Sequence, residues 1–433
     1  MFNRPVSPQF VFIFVLTLLI SLILIVDKKV KNRIVPVLAT INFGLLFYLY
    51  FYFWTYLSTL IFLMLLYLFF TKKNDTAKKL VGIFFGGMIL GSVYFVQTIQ
   101  ASRLDIFLES VKRLGLLDTR FPSGIQIVLP AVICGILYLI VFIYSKKKNI
   151  KINDVTVLMF IGVLSSIINV NHHVVTGKNL LFSSHYEVIS HFFILFAFAY
   201  ILWQINFIKK ISKQFLFRGL SVLLLIILFS PIYVNSVVGF SDYSIKIQRY
   251  AHAMNWLNHN TEKDSVILSN LEISAFIPAY THNNVFYAGG GLLFFASKDE
   301  IFDRVAISNY LNDSFDYKFA KENLFMVYGI QQRAERGSER QKNILRRFLG
   351  LSLKDLEAVY YPQDKIDDLY NRCKAVDEQV FLDAFNRYRI DYVLIDLEDP
   401  FFSDFSKRTL FFEGYFTKEV YASDNIFIYK INK

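Results

Sequence analysis

Long apolar stretches separated by short polar ones dominate the first 239 residues. The runs fall at about 10–26, 34–51, 53–70, 80–98, 125–144, 155–170, 187–207 and 217–239. Runs of this length can cross a bilayer as helices. Residues 34–70 have to be divided. As one helix they would rise about 55 Å at 1.5 Å per residue, nearly twice a hydrocarbon thickness of about 30 Å. Two helices joined at a tight turn are expected instead. Tyr48, Tyr50, Tyr52, Trp54 and Tyr56 cluster at that turn, and amphipathic rings favour the membrane–water interface.

From about residue 240 the pattern shortens and alternates. Helices are expected over 246–259, after the capping-box stretch Ser297-Lys298-Asp299-Glu300 as far as about Leu311, and over 338–350 and 376–388. Strands are expected at Ser265–Leu268, Asn284–Tyr287 and Tyr392–Ile395, with a closing hairpin, Lys418–Ala422 and Asn425–Ile431, around Ser423-Asp424. The fold class that follows is a polytopic α-helical membrane bundle of about eight spans followed by a small extracytoplasmic α/β domain. The transmembrane domain covers 1–239 and the α/β domain 240–433.

Composition supports a membrane chain: 55% of the 433 residues are hydrophobic and 17% aromatic. The formal charge of +11 is unevenly placed. Residues 1–239 hold 22 Lys and Arg against 7 Asp and Glu, and the remainder is net acidic. The basicity therefore reads as a topology signal, and nucleic acid is not an expected partner. Four basic clusters share one side: Lys28–Arg33, Lys72–Lys79, Lys146–Lys151 and Lys209–Arg218. The positive-inside rule makes that side cytoplasmic. The N-terminus, the loop at 99–124, the loop at 171–187 and the α/β domain then lie outside. An outside N-terminus with no signal before it predicts that the chain lacks upstream spans its relatives carry. Cys134 and Cys373 fall in different parts of the chain and are not expected to pair.

The candidate chemistry centres on the polar loop from Asn171 to Glu187, which holds His172, His173, Thr176, Gly177, His185 and Glu187. Histidine donates, accepts or transfers a proton near neutral pH, so the loop is a candidate for a phosphate- or sugar-bearing substrate. The competing reading is a hydrated loop that satisfies its own backbone. Ser165, Ser166 and Asn169 carry polarity into the preceding span. Adjacent His172 and His173 point apart in regular structure, and no HExxH or HxH pairing exists, so a metal site is not indicated.

In the loop at 99–124, Asp105–Arg113 can form an amphipathic helix on the membrane with Ile106, Leu108 and Val111 toward lipid. Arg113 and Arg120 there suit diphosphate oxygens, and equally an ordinary interfacial anchor. Gly289-Gly290-Gly291 lacks a following Lys-Ser/Thr and reads as a turn. Asp396, Glu398 and Asp399 read as solvated acids.

Three stretches carry a resemblance: Phe43–Tyr48 with Tyr52–Thr55, Asn171–Gly177 with His185-Tyr186, and Asn255–Asn258 through Asp264–Val266 with Ile277–Thr281. In these the chain resembles the C-terminal part of GT-C class bacterial membrane glycosyltransferase-like proteins. The resemblance implies a multi-span fold with an extracytoplasmic α/β domain and sugar transfer from a polyprenyl-phosphate-linked donor in the cell envelope. Membrane lipid would be a further partner. It also implies a carboxylate that deprotonates the acceptor, with Arg113, Arg120 and the histidine loop holding the departing lipid phosphate. No cofactor motif is evident; the resemblance leaves room for a divalent metal. Relatives typically carry glutamine where His172 or His173 stands. They place their catalytic acid in the first outer loop, whereas Met1–Gln9 contains no acid. No catalytic residue is therefore assigned, and a truncated or inactive form is among the expectations. The alternative is a non-catalytic membrane protein whose outer domain binds a glycan or a partner protein.

Overall fold

The computed structural model describes residues 8–28, 33–180, 185–204, 248–289, 295–312, 315–399 and 416–431. The chain forms two units: residues 1–107 with 116–218, and residues 108–115 with 219–433. The expected boundary at 239/240, the basic cluster Lys209–Arg218 and the apolar run at 217–239 all lie outside the described residues.

The first unit is helical. Its elements are α1 (Pro8–Val26), α2 (Ile34–Leu49), α3 (Phe51–Phe70), α4 (Asn74–Leu90) and α5 (Ser92–Ser102). After α6 (Ile106–Arg113), most of which belongs to the second unit, come β1 (Leu116–Asp118), α7 (Ile125–Lys147), α8 (Asp154–Val170), α9 (His173–Thr176), β2 (Lys178–Leu180) and α10 (Tyr186–Gln204). Among the described residues, four helices are long and apolar enough to cross a membrane: 51–70, 125–147, 154–176 and 186–203. A fifth is added if α4 and α5, bent by 50°, form one broken span. Phe10–Val26 and Ile34–Leu49 are apolar but shorter. The chain is thus a multi-pass helical membrane protein.

The split expected within 34–70 occurs at one residue, Tyr50, whose backbone is extended at φ −158° and ψ 114°. Its N–H still bonds to Leu46 O at 3.1 Å, so α2 ends without losing that bond. Glycine lets α4 approach α2. A Cβ on Gly87 would lie 2.3 Å from Phe43 Cδ1, and one on Gly91 would lie 2.5 Å from Phe47 Cγ. Where helices gain little from leaving lipid, such backbone closeness is a main source of association. At the bend, Tyr48 Oη donates to Leu90 O at 2.6 Å.

The second unit is built on a five-stranded sheet. Its strands are β3 (Val266–Leu268), β4 (Asn284–Val285), β5 (Tyr392–Asp396), β6 (Phe416–Ser423) and β7 (Ile426–Ile431), in the order β4-β3-β5-β7-β6. The first three are parallel, and β7 runs antiparallel to both β5 and β6. Tyr250, Phe276, Phe302, Phe381, Val393 and Ile428 belong to one buried core with these strands. Helix starts follow short polar side chains. Asn270, Ser297, Asp316 and Asp377 accept from the N–H of Ile273, Glu300, Phe319 and Val380.

Sequence and structure differ in several places. Helices Tyr317–Glu322, Phe325–Tyr328, Leu356–Tyr360 and Gln363–Lys374 were not expected, and the helix expected over 338–350 runs from Gln331 to Phe348. The hairpin turn is Asp424-Asn425, one residue later than expected. Both residues have positive φ (50° and 61°), as a type I′ turn requires. Helix 271–280 was not expected: it is buried along Ile273, Ser274, Phe276 and Ile277 and carries Pro278 near its end, so it lacks a clean amphipathic period. Finally, Asp396 is not a solvated acid. It is 1% exposed, accepts from Arg249 Nη2 at 2.5 Å and from Tyr250 Oη at 2.9 Å, and caps the Glu398 N–H at 3.0 Å. A carboxylate can be buried here because three donors converge on it. Glu398 bonds to Arg249, and Asp399 accepts from Asn270. Cys134 and Cys373 are both free, as the sequence suggested, and both are buried. Of the glycine run, Gly290 and Gly291 lie outside the described residues.

Candidate functional site

The histidine loop grows out of α8. Facing α8 and the start of α10, α3 presents Tyr52, Thr55, Tyr56 and Thr59 at helical spacing, on one side of the helix. Tyr56 Oη donates to Gly162 O at 2.6 Å and lies 3.0 Å from Ser166 Oγ. Thr59 Oγ1 donates to Asn169 Oδ1 at 3.2 Å, and Asn169 Nδ2 donates to Ser165 O at 2.8 Å. Ser165 Oγ donates to Ile161 O at 2.9 Å. The polarity of this span is therefore consumed between two helices, as hydrocarbon surroundings require.

Beyond Val170 the loop is tied to the segment before α7. β1 and β2 pair antiparallel, Leu116 opposite Leu180 and Asp118 opposite Lys178. His173 is fully buried, and its Nε2–H donates to Phe121 O at 2.9 Å. Asn171 Oδ1 accepts from Ser123 N at 2.9 Å, and Gly177 O from Thr119 N at 3.0 Å. Arg120 Nη1 donates to Val174 O at 3.1 Å and Val175 O at 2.7 Å, a cation set on the carbonyls that end a helix. Gly177 has φ +76°, which the helix ending needs. The Thr176 side chain is exposed, with its hydroxyl 3.4 Å from Lys178 O.

The remaining loop residues meet an aromatic cluster. His185 contacts the Tyr50 hydroxyl through Nδ1 and stacks on the Tyr52 ring, centroids 5.2 Å apart and planes 14° apart. Tyr186 stands edge-on to Tyr52 at 5.0 Å, and Thr55 Oγ1 lies 2.8 Å from its hydroxyl. The His172 ring meets Tyr186 edge-on at 6.4 Å, and its Nδ1–H donates to Asn169 O at 2.8 Å. In its neutral form that bond leaves Nε2 as the acceptor. Burial lowers the His185 pKa below the usual imidazole value, so the ring is neutral at pH 7 and able to accept a proton. Glu187 Oε1 accepts from Gln126 Nε2 at 3.0 Å.

The eight candidate residues thus separate. His172 meets Tyr186, which stands edge-on to Tyr52, the ring on which His185 stacks. His173, Gly177 and Arg120 hold the loop in place, Glu187 pairs with Gln126, and Thr176 stands at the surface. Arg113 belongs to the second unit: it is 4% exposed, and its guanidinium donates to Ala296 O at 2.6 Å and Ser110 Oγ at 3.1 Å. Burial lowers its pKa, against the pull of Glu109. Glu109 accepts the Lys298 N–H at the start of helix 298–310, so α6 turns its polar side into that unit. Tyr50, Tyr52 and Thr55 were missed as site residues because an interface belt explains tyrosines equally well. Their signal was spacing: Tyr52 and Thr55 share a helix face.

The second unit has an open groove of about 410 Å³ between helix 251–260 and β6. His252, Asn255, Trp256 and His259 line one side, and Tyr421, Ser423 and Asp424 the other. The Trp256 and Tyr421 rings lie 5.8 Å apart and tilted by 47°. Among the described residues no Lys or Arg lines the groove, and Asp424 is the one acid there. Among the described residues no group of three or more His, Cys, Asp or Glu could hold a metal ion.

Comparison with known proteins finds no matching family model, no similar curated protein and no similar solved structure. Fold and site define a class: a multi-pass helical membrane protein carrying a separate α/β unit.

Proposed function

We propose that this is a GT-C type glycosyltransferase-like membrane protein, with about eight spans and an extracytoplasmic α/β domain. It acts on a polyprenyl-phosphate-linked sugar at the bundle end where His172 and His185 border the cluster of Tyr50, Tyr52 and Tyr186. One observation carries the reading: the His185 imidazole contacts the Tyr50 hydroxyl and stacks on the Tyr52 ring, with Tyr186 edge-on to that ring. Such rings hold a sugar face, and the imidazole–hydroxyl pair relays a proton. These groups lie near the start of α3, about 30 Å along that helix from its basic end at Lys72 and Lys73 at 1.5 Å per residue. Residues facing away from a basic end suit an outer-face donor. The test is transfer of labelled sugar from a polyprenyl-phosphate donor by proteoliposomes containing the chain. Transfer that is lost in His185→Ala and Tyr52→Ala, with expression unchanged, supports the reading. Absence of transfer from the wild-type chain overturns it.

A second reading is a non-catalytic protein whose outer unit binds a glycan. The groove of Trp256 and Tyr421 favours it, because an aromatic wall with amide and imidazole groups matches sugar rings and hydroxyls. Loss of oligosaccharide binding in Asn255→Ala, with sugar transfer absent throughout, would decide for it.

A further inference from the structure

Helix 331–348 has the opposite of an ordinary surface at its C-terminal end. Ile344 is 69% exposed, Phe348 86% and Leu351 58%, with Leu345, Leu349 and Leu353 also exposed. A soluble surface rarely gathers so many large apolar side chains within ten residues, and where it does the patch meets a partner or a lipid. The patch is shaped, not frayed. The helix ends in a Schellman turn at Gly350, φ +65°, with Leu351 N bonding to Arg346 O at 2.8 Å and Gly350 N to Arg347 O at 3.3 Å. Asn343 then pins the returning chain, donating to Lys354 O at 2.8 Å and accepting from Lys354 N at 3.0 Å. Leu351 and Leu353 are thereby held next to the helix end.

Charge surrounds this tip. Residues 331–354 contain Arg333, Arg336, Arg340, Lys342, Arg346, Arg347 and Lys354 against Glu335 and Glu339. Glu339 takes Lys342 and Arg346, while Arg340 and Arg347 remain exposed. Apolar side chains at a fixed tip inside a basic collar match an interfacial lipid anchor.

We infer that Ile344, Phe348, Leu349 and Leu351 insert into the headgroup region of an anionic bilayer, with Arg340 and Arg347 at lipid phosphates. The occupant is the lipid surface. A second copy of the chain would match the apolar tip, but two such tips would bring their basic collars together and repel. The inference rests on neither functional reading: the tip can dock without sugar transfer, and transfer can occur without docking.

The experiment uses the full chain with Cys134→Ala, Cys373→Ala and Phe348→Cys, labelled at that cysteine with an environment-sensitive dye. It is reconstituted in vesicles of phosphatidylcholine with about 30 mol % phosphatidylglycerol, an anionic lipid whose charge a basic collar attracts. Blue-shifted emission, quenched by nitroxide on the lipid chains, is expected. Arg347→Glu is expected to lower the docking constant on the order of fivefold or more, and salt to weaken docking further. A label at exposed Ser352 in place of Phe348 checks that the tip itself stays folded. Emission as in water, without lipid quenching, overturns the inference. So does a blue shift that follows protein concentration and ignores lipid quenchers, which would assign the tip to a second copy.

Discussion

Asp396 offers the sharpest test of the second unit. Its carboxylate is buried at the end of β5 and receives Arg249, Tyr250 and the Glu398 N–H. Asp396→Ala removes the acceptor of the Tyr250 hydroxyl, whose residue is itself buried; an unsatisfied buried group costs about 1–3 kcal/mol. Loss of the Arg249 pair adds less. That side chain is 30% exposed and keeps Glu398 at 2.6 Å, so about 1 kcal/mol is appropriate. Together with the lost N–H cap, about 3 kcal/mol follows. Tyr250→Phe, which removes one hydrogen bond and leaves the ion pair, should cost about 1 kcal/mol.

Cys373 supplies the assay. It is buried in the same unit, and burial raises its thiol pKa to about 12, so it reacts only when the unit opens. In full-length protein carrying Cys134→Ala, the labelling rate of Cys373 reports the opening equilibrium. A destabilisation of about 3 kcal/mol should speed labelling about 150-fold in Asp396→Ala, and about 1 kcal/mol about fivefold in Tyr250→Phe. Amides of β5 should lose hydrogen-exchange protection in the same ratio. An Asp396→Ala rate within about twofold of wild type would mean that the carboxylate adds nothing beyond a solvated acid.

Two further outcomes follow from packing and charge. Gly87→Ala should lower the thermal midpoint of the detergent-purified protein, because its Cβ would stand 2.3 Å from buried Phe43; overpacking of this kind costs about 1–3 kcal/mol. Gly82→Ala, with nothing within 4 Å of its Cβ, should be neutral or stabilising. For Glu339, burial raises the carboxyl pKa, but hydrogen bonds from Lys342 and Arg346 outweigh it and leave the pKa below the usual 4.5. A lowered folded pKa contributes stability above the ordinary value and loses it as pH falls through the folded one. Exchange protection in helix 331–348 should hold from neutral pH to about 5 and decline below about 4.5, with the decline absent in Glu339→Gln.

Features governed by neighbouring residues were legible from sequence. The apolar runs within the described residues lie on helices, that at 80–98 divided between α4 and α5, the length of 34–70 required a break, and Ser297 caps its helix as the Ser-x-x-Glu pattern implies. Features governed by distant partners were not. Asp396 is buried because Arg249, 147 residues earlier in the chain, points at it, and no local pattern distinguishes that acid from Glu398. Asp105–Arg113 reads as an amphipathic helix on the membrane because periodicity reports that one side is apolar, not which surface the polar side meets; Arg113 finds Ala296 O, 183 residues away.

The histidine loop shows the same division within one stretch. Adjacent His172 and His173 are chemically identical, yet one ring is fully buried against Phe121 and the other lies against Tyr186. Which imidazole is available for chemistry depends on a strand pair, β1 with β2, that joins segments about 60 residues apart. Site composition could thus be proposed from local sequence, but the role of each member required the pairing. A variant that breaks the pairing should therefore disturb His173 before His172.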